Sequence, residues 1–506
     1  MTSIFKATAI LGSSSVLSII LGVASCKVLA SVLEPSGYGY YGLLQSFVTV
    51  TSLLSGMGMA TGLVRLGATS AAAGNRAEMS ALCGGAWLLF IGLVTPLMAG
   101  VLIFFWAPIG RWALGSTEHS GAVLLMGIAT WFTVAMNVQT GILNAWHRVE
   151  ALATYSVACS VLNAGTSIIA VWMWGAKGII PAVIATAIGG WVTSRYFLYR
   201  SQILSSDRTT FREKMIAARR LLSFGAPFTA SVLAGNGVQL AMPMVVVHLL
   251  STEGVGYYKA TVAISVGYLG FLITAMTQDY YPRISAVKDR PQAMVALINE
   301  QQRLIMLLAG PVILCTLALV SQIIPIIYSR RFLPAVEILE WQLIGDLFKL
   351  SSWTLSFAIL ARCKTYVYFL TEMIFGVISL CMTWLAVHLF GIAGLGISFF
   401  AVYVVYYATV WLILRREIPI SWTAYNRNLM LALLAVALTI RVLPSTPLAA
   451  HRTLLALALA VAFGIYSLRM LWAEYTAEDR HDEQPGPPPL QACTATQPAS
   501  TTGLTV

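Results

Sequence analysis

Residues 341–362 read WQLIGDLFKLSSWTLSFAILAR. The run is long and apolar enough to cross a bilayer, yet Asp346 and Lys349 sit near its middle. At helical spacing Gln342, Asp346, Lys349 and Trp353 follow at steps of four, three and four, with Ser352 and Ser356 beside them. The polar atoms therefore form one stripe on an otherwise oily helix. An ionisable residue at membrane depth costs about 2.5–3.5 kcal/mol on insertion scales, so it normally faces a bundle interior or a watery cavity. The stretch predicts a membrane helix that lines a pathway.

Composition extends that reading to the whole chain. Of 506 residues, 58% are hydrophobic and 10% charged, with a mean hydropathy of +0.79. Soluble domains carry about 25% charged residues, so a soluble core is excluded. Segments of spanning length recur at about 8–33, 40–64, 81–106, 121–146, 152–174 and 179–199, and again at 221–250, 257–280, 303–328, 336–361, 366–389 and 392–414. The turn Glu34-Pro35-Ser36-Gly37-Tyr38-Gly39 separates the first two, and a polar connection, Arg200 to Arg220, separates the two sets of six. A shorter hairpin, 429–443 and 453–472, follows; the tail from Glu474, with GPPP at 486–489, is expected to be disordered.

Several chemistries are excluded at this stage. Val23-Ala24-Ser25-Cys26 has the look of a lipoprotein cleavage box, but the apolar run before it exceeds a signal h-region, and the first helix is expected to stay intact. Seven cysteines show no CxxC pair; Cys26, Cys83, Cys159, Cys315 and Cys381 fall in apolar segments, where a thiol behaves as a small hydrophobe. Six scattered histidines show no HExxH, and no GxxxxGK[ST] loop occurs. No metal, cofactor, catalytic constellation or ATPase site is expected, and Gly-rich pieces such as Gly56-Met57-Gly58 read as packing contacts.

Placing the loops near 65–80, 147–151, 195–220, 281–303, 362–365 and 415–428, Lys6 and the tail on one side collects roughly 22 of the 31 basic residues, with Arg469 at the inner end of the last span counted among them. The opposite loops hold Arg111, Lys177, Lys259, Arg330, Arg331, Arg441 and Arg452, and Lys27 and Lys349 lie within spans. The positive-inside rule puts both termini in the cytoplasm. The net charge of +11 is thus topological and calls for membrane lipid headgroups rather than a nucleic-acid partner.

An internal repeat follows from the span order. Gly37-Tyr38-Gly39-Tyr40-Tyr41 is echoed by Gly254-Val255-Gly256-Tyr257-Tyr258, a shift of 217 residues. Trp174-Gly175-Ala176-Lys177-Gly178-Ile179 is echoed by Phe390-Gly391-Ile392-Ala393-Gly394-Leu395, a shift of 216. The expected fold is an all-α polytopic membrane protein of two six-helix lobes, related by a pseudo-two-fold axis along the membrane normal, with a cavity between them. The boundaries read 1–203 for the first lobe, 204–220 for a cytoplasmic linker, 221–417 for the second lobe, 427–473 for the extra hairpin and 474–506 for the tail.

Other polar residues lie inside spans. Thr133, Asn137, Thr140 and Asn144 form a stripe with Gln139 nearby, and Asn236 and Gln239 precede Pro243. Each set reads either as interhelical hydrogen bonding or as a substrate-path surface. Lys27 either snorkels to the interface or offers charge to an anion. Asp346 and Lys349 are either an internal ion pair or substrate contacts. Arg65 and the run Asp279-Tyr280-Tyr281-Pro282-Arg283 sit at inner helix ends, as interfacial anchors or as gating residues.

LEPSGYGYYGLLQSFVTVTSLLSGMGMATGLVR (33–65), QDYYPRIS (278–285) and residues 341–362 together resemble the lipid-linked oligosaccharide flippases of the O-antigen and common-antigen type, in the multidrug/oligosaccharidyl-lipid/polysaccharide exporter superfamily. The similarity covers residues 1–417, and the hairpin and tail stand outside it. The resemblance implies a twelve-helix, two-lobed transporter in a bacterial inner membrane. It would flip a polyprenyl-pyrophosphate-linked oligosaccharide to the periplasmic leaflet by alternating access, alongside other polysaccharide-assembly proteins. A hydrated sugar and a pyrophosphate cannot cross hydrocarbon unaided, whereas hydroxyls, amides and lysines can replace their water. Lys27 and Lys349 are the candidates for the pyrophosphate, the Asn and Gln stripes for the sugars, and Asp346 for coupling to a proton or sodium ion. The competing readings are an ion-coupled drug or cation exporter of the same superfamily, a membrane polysaccharide polymerase, and a scaffold. The exporter should use buried carboxylates without nearby lysines, and the polymerase needs a larger outer loop.

Overall fold

Helices start where the sequence supplies caps. The Thr210 hydroxyl accepts from the Glu213 N–H while the Glu213 carboxylate accepts from the Thr210 N–H, a capping box. Asn75, Ser251 and Thr423 cap three further helices through their side chains. The computed structural model describes residues 2–115, 120–146, 149–201, 209–362, 365–443 and 452–482, and no strand occurs among them. In chain order the helices are α1 (Thr2–Gly56), α2 (Met59–Ala72), α3 (Arg76–Leu89), α4 (Thr95–Leu114), α5 (Ala122–Ala145), α6 (Val149–Trp174), α7 (Ile179–Arg200) and α8 (Phe211–Leu249). They continue with α9 (Thr252–Ala275), α10 (Tyr281–Ala286), α11 (Pro291–Ile327), α12 (Ala335–Ala361), α13 (Thr365–Phe390), α14 (Gly394–Arg415), α15 (Ala424–Val442) and α16 (Arg452–Asp482).

Among the described residues eight continuous stretches are long and apolar enough to cross a bilayer, ten if two bent pairs each count as one span. Two of the eight, 151–200 and 366–415, each hold a helical hairpin. The span expected at 40–64 is broken between α1 and α2, where Met57 (φ 44°) and Gly58 (φ 67°) are left-handed, and α15, the arm expected at 429–443, is not among the stretches. Large apolar side chains such as Phe104, Trp172 and Leu468 are exposed on the outside, as a lipid-facing surface requires. Cross-helix ion pairs gather at two ends. Arg220–Glu78 and Arg283–Glu300 (both 2.7 Å) lie at the end carrying the basic loops, and Arg441–Glu340 (2.9 Å) and Arg331–Glu34 lie at the other.

The boundaries also differ from the expectation in four other places. The turn read at 34–39 is a one-residue kink: Glu34 takes a left-handed φ of 59°, and Pro35 restarts the helix, needing no N–H acceptor in a first turn. The polar connection is helical from Phe211, where the capping box starts α8. α11 starts at Pro291, well before the apolar run. α16 continues to Asp482, past Glu474, and residues 483–506 lie outside the described ones.

The repeated motifs occupy matching geometry. Gly175 (φ 55°) and Gly391 (φ 60°) both turn the chain through a left-handed conformation that suits glycine. A Cβ on Gly178 would overlap the Ala170 carbonyl, and one on Gly394 the Ala386 carbonyl, the same offset in both hairpins. Where α1 meets α9, a Cβ on Gly39 would overlap the Thr252 carbonyl, and one on Gly256 the Pro35 carbonyl. Residue and counterpart thus contact each other reciprocally, the pattern of an isologous contact and consistent with a two-fold relation.

The C-terminal hairpin packs on α11, with α15 also touching α12. Its base is joined by Asn426 donating to Asn299 O (2.8 Å) and by Asn299 Oδ1 accepting from the Thr423 N–H (3.0 Å). Its far end is tied by Arg441 to Glu340 and Glu337.

Candidate functional site

α12 packs against α9, α11, α13 and α14, so its polar stripe has neighbours on several sides. The structure divides that stripe. Asp346 is fully buried and its Oδ2 accepts from Ser265 Oγ on α9 at 2.9 Å. The Lys349 ammonium instead lies over three rings, Trp353 (5.1 Å), Phe399 (5.2 Å) and Tyr403 (5.3 Å), an aromatic cage closed by α14. Gln342 is buried, with neither amide atom hydrogen-bonded among the described residues. Gln302 on α11 donates to Ser351 (2.8 Å) and the Tyr280 hydroxyl to Thr354 O (2.9 Å), fixing the back of α12.

Lys349 and Gln239 line one cavity of about 260 Å³ with Trp353, Tyr368, Glu372 and Tyr406. The phenol of Tyr406 donates to the Glu372 carboxylate and stands 3.1 Å from Ser356 Oγ. A second cavity of about 430 Å³ lies between α1, α6, α7 and α9, where Gln45, Asn163, Ser167, Thr186 and Lys259 supply polar atoms. Lys259 reaches across the contact to donate to Ser46 Oγ at 2.6 Å. Its Cγ would be 2.9 Å from a Cβ on Gly42, so the glycine makes room for the lysine stem. Gln45 donates to the Tyr41 hydroxyl (2.8 Å), which is 3.2 Å from Ser167 Oγ. The arrangement offers hydroxyls, amides and one ammonium in a half-enclosed space, a set suited to a hydrated sugar and an anion.

The other residues singled out from sequence fall elsewhere. Lys27 donates to two carbonyls at the C-terminal end of α11, Pro325 O (2.9 Å) and Tyr328 O (2.7 Å), where cations are favoured. It latches α1 to α11 beside the aromatic cluster Tyr38, Tyr328 and Phe332. Asn137 is half-buried and Asn144 exposed, and neither lines these two cavities; Gln139 between them is buried and accepts from Ser194 on α7, an interhelical bond. Asn236 lies on α8 with its side chain outside the described residues. Arg65 stacks over Phe224 (4.5 Å) next to the Arg220–Glu78 pair, so α2 and α3 close onto α8 at the basic end. Asp279 and Arg283 pair with each other (3.3 Å), and Arg283 also meets Glu300, pinning α10 to α11.

Lys259, Glu372, Gln45 and Asn163 were not among the expected site residues. Lys259 reads as an outer-loop cation from charge counting alone, although the 217-residue register aligns it with Gly42 inside a span. Glu372 is an ionisable residue within an apolar span, the same signal that marks Asp346.

The two closures differ in strength. Arg220 and Glu78 are 51% and 31% exposed, and such pairs contribute about 0–1 kcal/mol. Lys27 makes two charge-assisted bonds to buried-end carbonyls, each worth about 1.5–3 kcal/mol. Lys27→Met is therefore expected to open that end: in a chain retaining only Cys26 among its cysteines, labelling of this cavity thiol by a membrane-impermeant maleimide should rise several-fold. Unchanged labelling would show that the latch does not hold the end shut.

The family model described as "Polysaccharide biosynthesis protein" matches residues 28–337. The lipid III flippases of Escherichia coli K12 and Shigella flexneri are each 21% identical over 430 residues, covering 82% of this chain and 100% of theirs. Among solved structures, the lipid II flippase MurJ in an inward closed conformation superposes with a TM-score of 0.71 at 14% identity, covering 92% of this chain and 99% of its own. An inward-facing multidrug resistance MATE transporter of the MOP superfamily gives 0.61 at 16% identity, covering 82% and 95%. Residues 1–417 are about four-fifths of the chain, so the MurJ likeness, at 92%, extends beyond the part of the sequence that carries the family resemblance and into the C-terminal hairpin. With the family model matched over more than half of its length, the chain belongs to the polysaccharide biosynthesis protein family.

Proposed function

We propose that this protein flips a polyprenyl-pyrophosphate-linked oligosaccharide, of the O-antigen or related repeat-unit type, from the cytoplasmic to the periplasmic leaflet. The observation that carries the reading is the half-enclosed polar cavity beside Lys259 in a multi-pass membrane protein of this family. Relatives named as lipid III and lipid II flippases support a lipid-linked substrate. The protein is a transporter rather than an enzyme. In this reading Lys259 and Lys349 face the pyrophosphate as point charges, and Gln45, Asn163 and Ser167 replace water around the sugars. The prenyl tail stays in lipid. Opening the basic end breaks the Arg220–Glu78 and Arg65–Phe224 contacts and admits substrate. Opening the other end breaks the Lys27 latch and the Gly39–Gly256 contact and releases it.

Complementation of a flippase-deficient strain tests the proposal, scoring surface polysaccharide and the leaflet of the lipid-linked precursor. The expected result is rescue with at least one precursor structure. No rescue by a chain shown to be inserted, across several precursors, would reject flipping. Lys259→Ala is expected to reduce flux about tenfold or more at equal expression, as losing one partner of a charged contact implies. Flux equal to wild type would remove Lys259 from the path.

A further inference from the structure

Glu372 is a carboxylate on an apolar helix with no role in the path so far. Its donor is a neutral phenol, Tyr406, whereas a carboxylate removed from water is held best by a cation. The cation sharing its cavity is Lys349. That ammonium rests on the faces of Trp353, Phe399 and Tyr403, a weaker seat than an anion would give it, and its four-carbon stem is flexible. The remaining polar and titratable groups around the cavity are Gln239 on α8, Tyr368 and Ser379 on α13 and Tyr403 and Tyr406 on α14, none of which is cationic. Asp346, one turn from Lys349, has its Oδ2 on Ser265 of α9.

Lys349 therefore has, besides the rings it rests on and the charge of Asp346 one turn away, a second carboxylate lining its cavity, Glu372, and a lipid diphosphate arriving in the path offers a further seat. We propose that Glu372 is a built-in competitor for Lys349: it takes up the ammonium when the diphosphate leaves, and so sets how fast the substrate is released. This inference rests on the flipping reading above. Glu372 acts through Lys349 and is a positioning residue. Tyr406 moderates it, because a carboxylate bonded to a phenol competes less well than a bare one.

The test uses the full chain in detergent with undecaprenyl pyrophosphate, lacking sugar, as the probe. Glu372→Gln keeps an acceptor for the Tyr406 hydroxyl and should bind the probe about tenfold more tightly, with slower turnover in vesicles. Tyr406→Phe should shift affinity the opposite way, and Glu372→Asp should stay close to wild type. In a Lys349→Ala background, Glu372→Gln should have no further effect. Unchanged affinity in Glu372→Gln, or an effect that persists without Lys349, would overturn the competitor role while leaving flipping intact. Should Glu372→Gln fail to fold, unchanged or tighter binding by Tyr406→Phe would overturn it instead. A wild-type chain that does not bind the lipid diphosphate would instead defeat the flipping reading itself.

Discussion

Gly256→Val should reduce transport by about two orders of magnitude while leaving the chain inserted. A Cβ at this position falls on the Pro35 carbonyl, a backbone atom on the other side of the α1–α9 contact, and no side-chain rotation can relieve that overlap. The two backbones must separate, so the end latched by Lys27 cannot close. A transporter unable to close one end cannot complete an alternating cycle. Gly39→Val should act alike, because its Cβ meets the Thr252 carbonyl in the reciprocal contact. Gly267→Val, on the same helix α9 with nothing within 4 Å of its added Cβ, supplies the control and should transport normally. The measurement is the leaflet distribution of precursor, with maleimide labelling of Cys26 as the second readout, expected to rise in the two blocked variants. Wild-type transport by Gly256→Val would mean that this contact need not close.

Arg441→Ala should produce the largest loss of stability, about 3 kcal/mol. Arg441 Nε lies 2.9 Å from the carboxylate of Glu340, whose side chain is 4% exposed, and its guanidinium also stacks on Trp341 at 5.6 Å. Removing the cation breaks the ion pair of a buried carboxylate, which is penalised more than the pair itself was worth. Thermal unfolding of the purified chain should move down by several degrees. Adding Glu340→Gln, which removes the charge, should recover at least half of the loss. A melting curve equal to wild type would show that the pair does not fasten α15 to α12.

The spans were legible in the sequence because hydrocarbon imposes a length and an apolarity that few soluble segments meet. The hairpin glycines were legible for a related reason: Gly175 and Gly391 each occupy a left-handed turn, and the surrounding motifs repeat in register. The stripe on α12 was legible as polar but not as divided. Periodicity assigns Asp346 and Lys349 to one face, yet a helix packed among several others hands one side chain to Ser265 of α9 and the next to the rings of α14. Lys27 shows the same limit. Its depth suggested either an interface or an anion, while the acceptors it found are the carbonyls ending α11, about 300 residues away in sequence. Asn137 and Asn144 read as a pathway because amides in a span are uncommon, but the amides that line the polar cavity are Gln45 and Asn163.

The fit of Lys259 beside Gly42 also sets a rule for how related chains can diverge. A methyl group at residue 42 would stand 2.9 Å from the lysine Cγ, near the root of the side chain rather than its free end. Neither position can drift alone: alanine at 42 calls for a shorter residue at 259, and a lysine at 259 calls for glycine at 42. An alignment of relatives should therefore show these two columns covarying, and lineages that lost the lysine should be the ones free to fill the glycine.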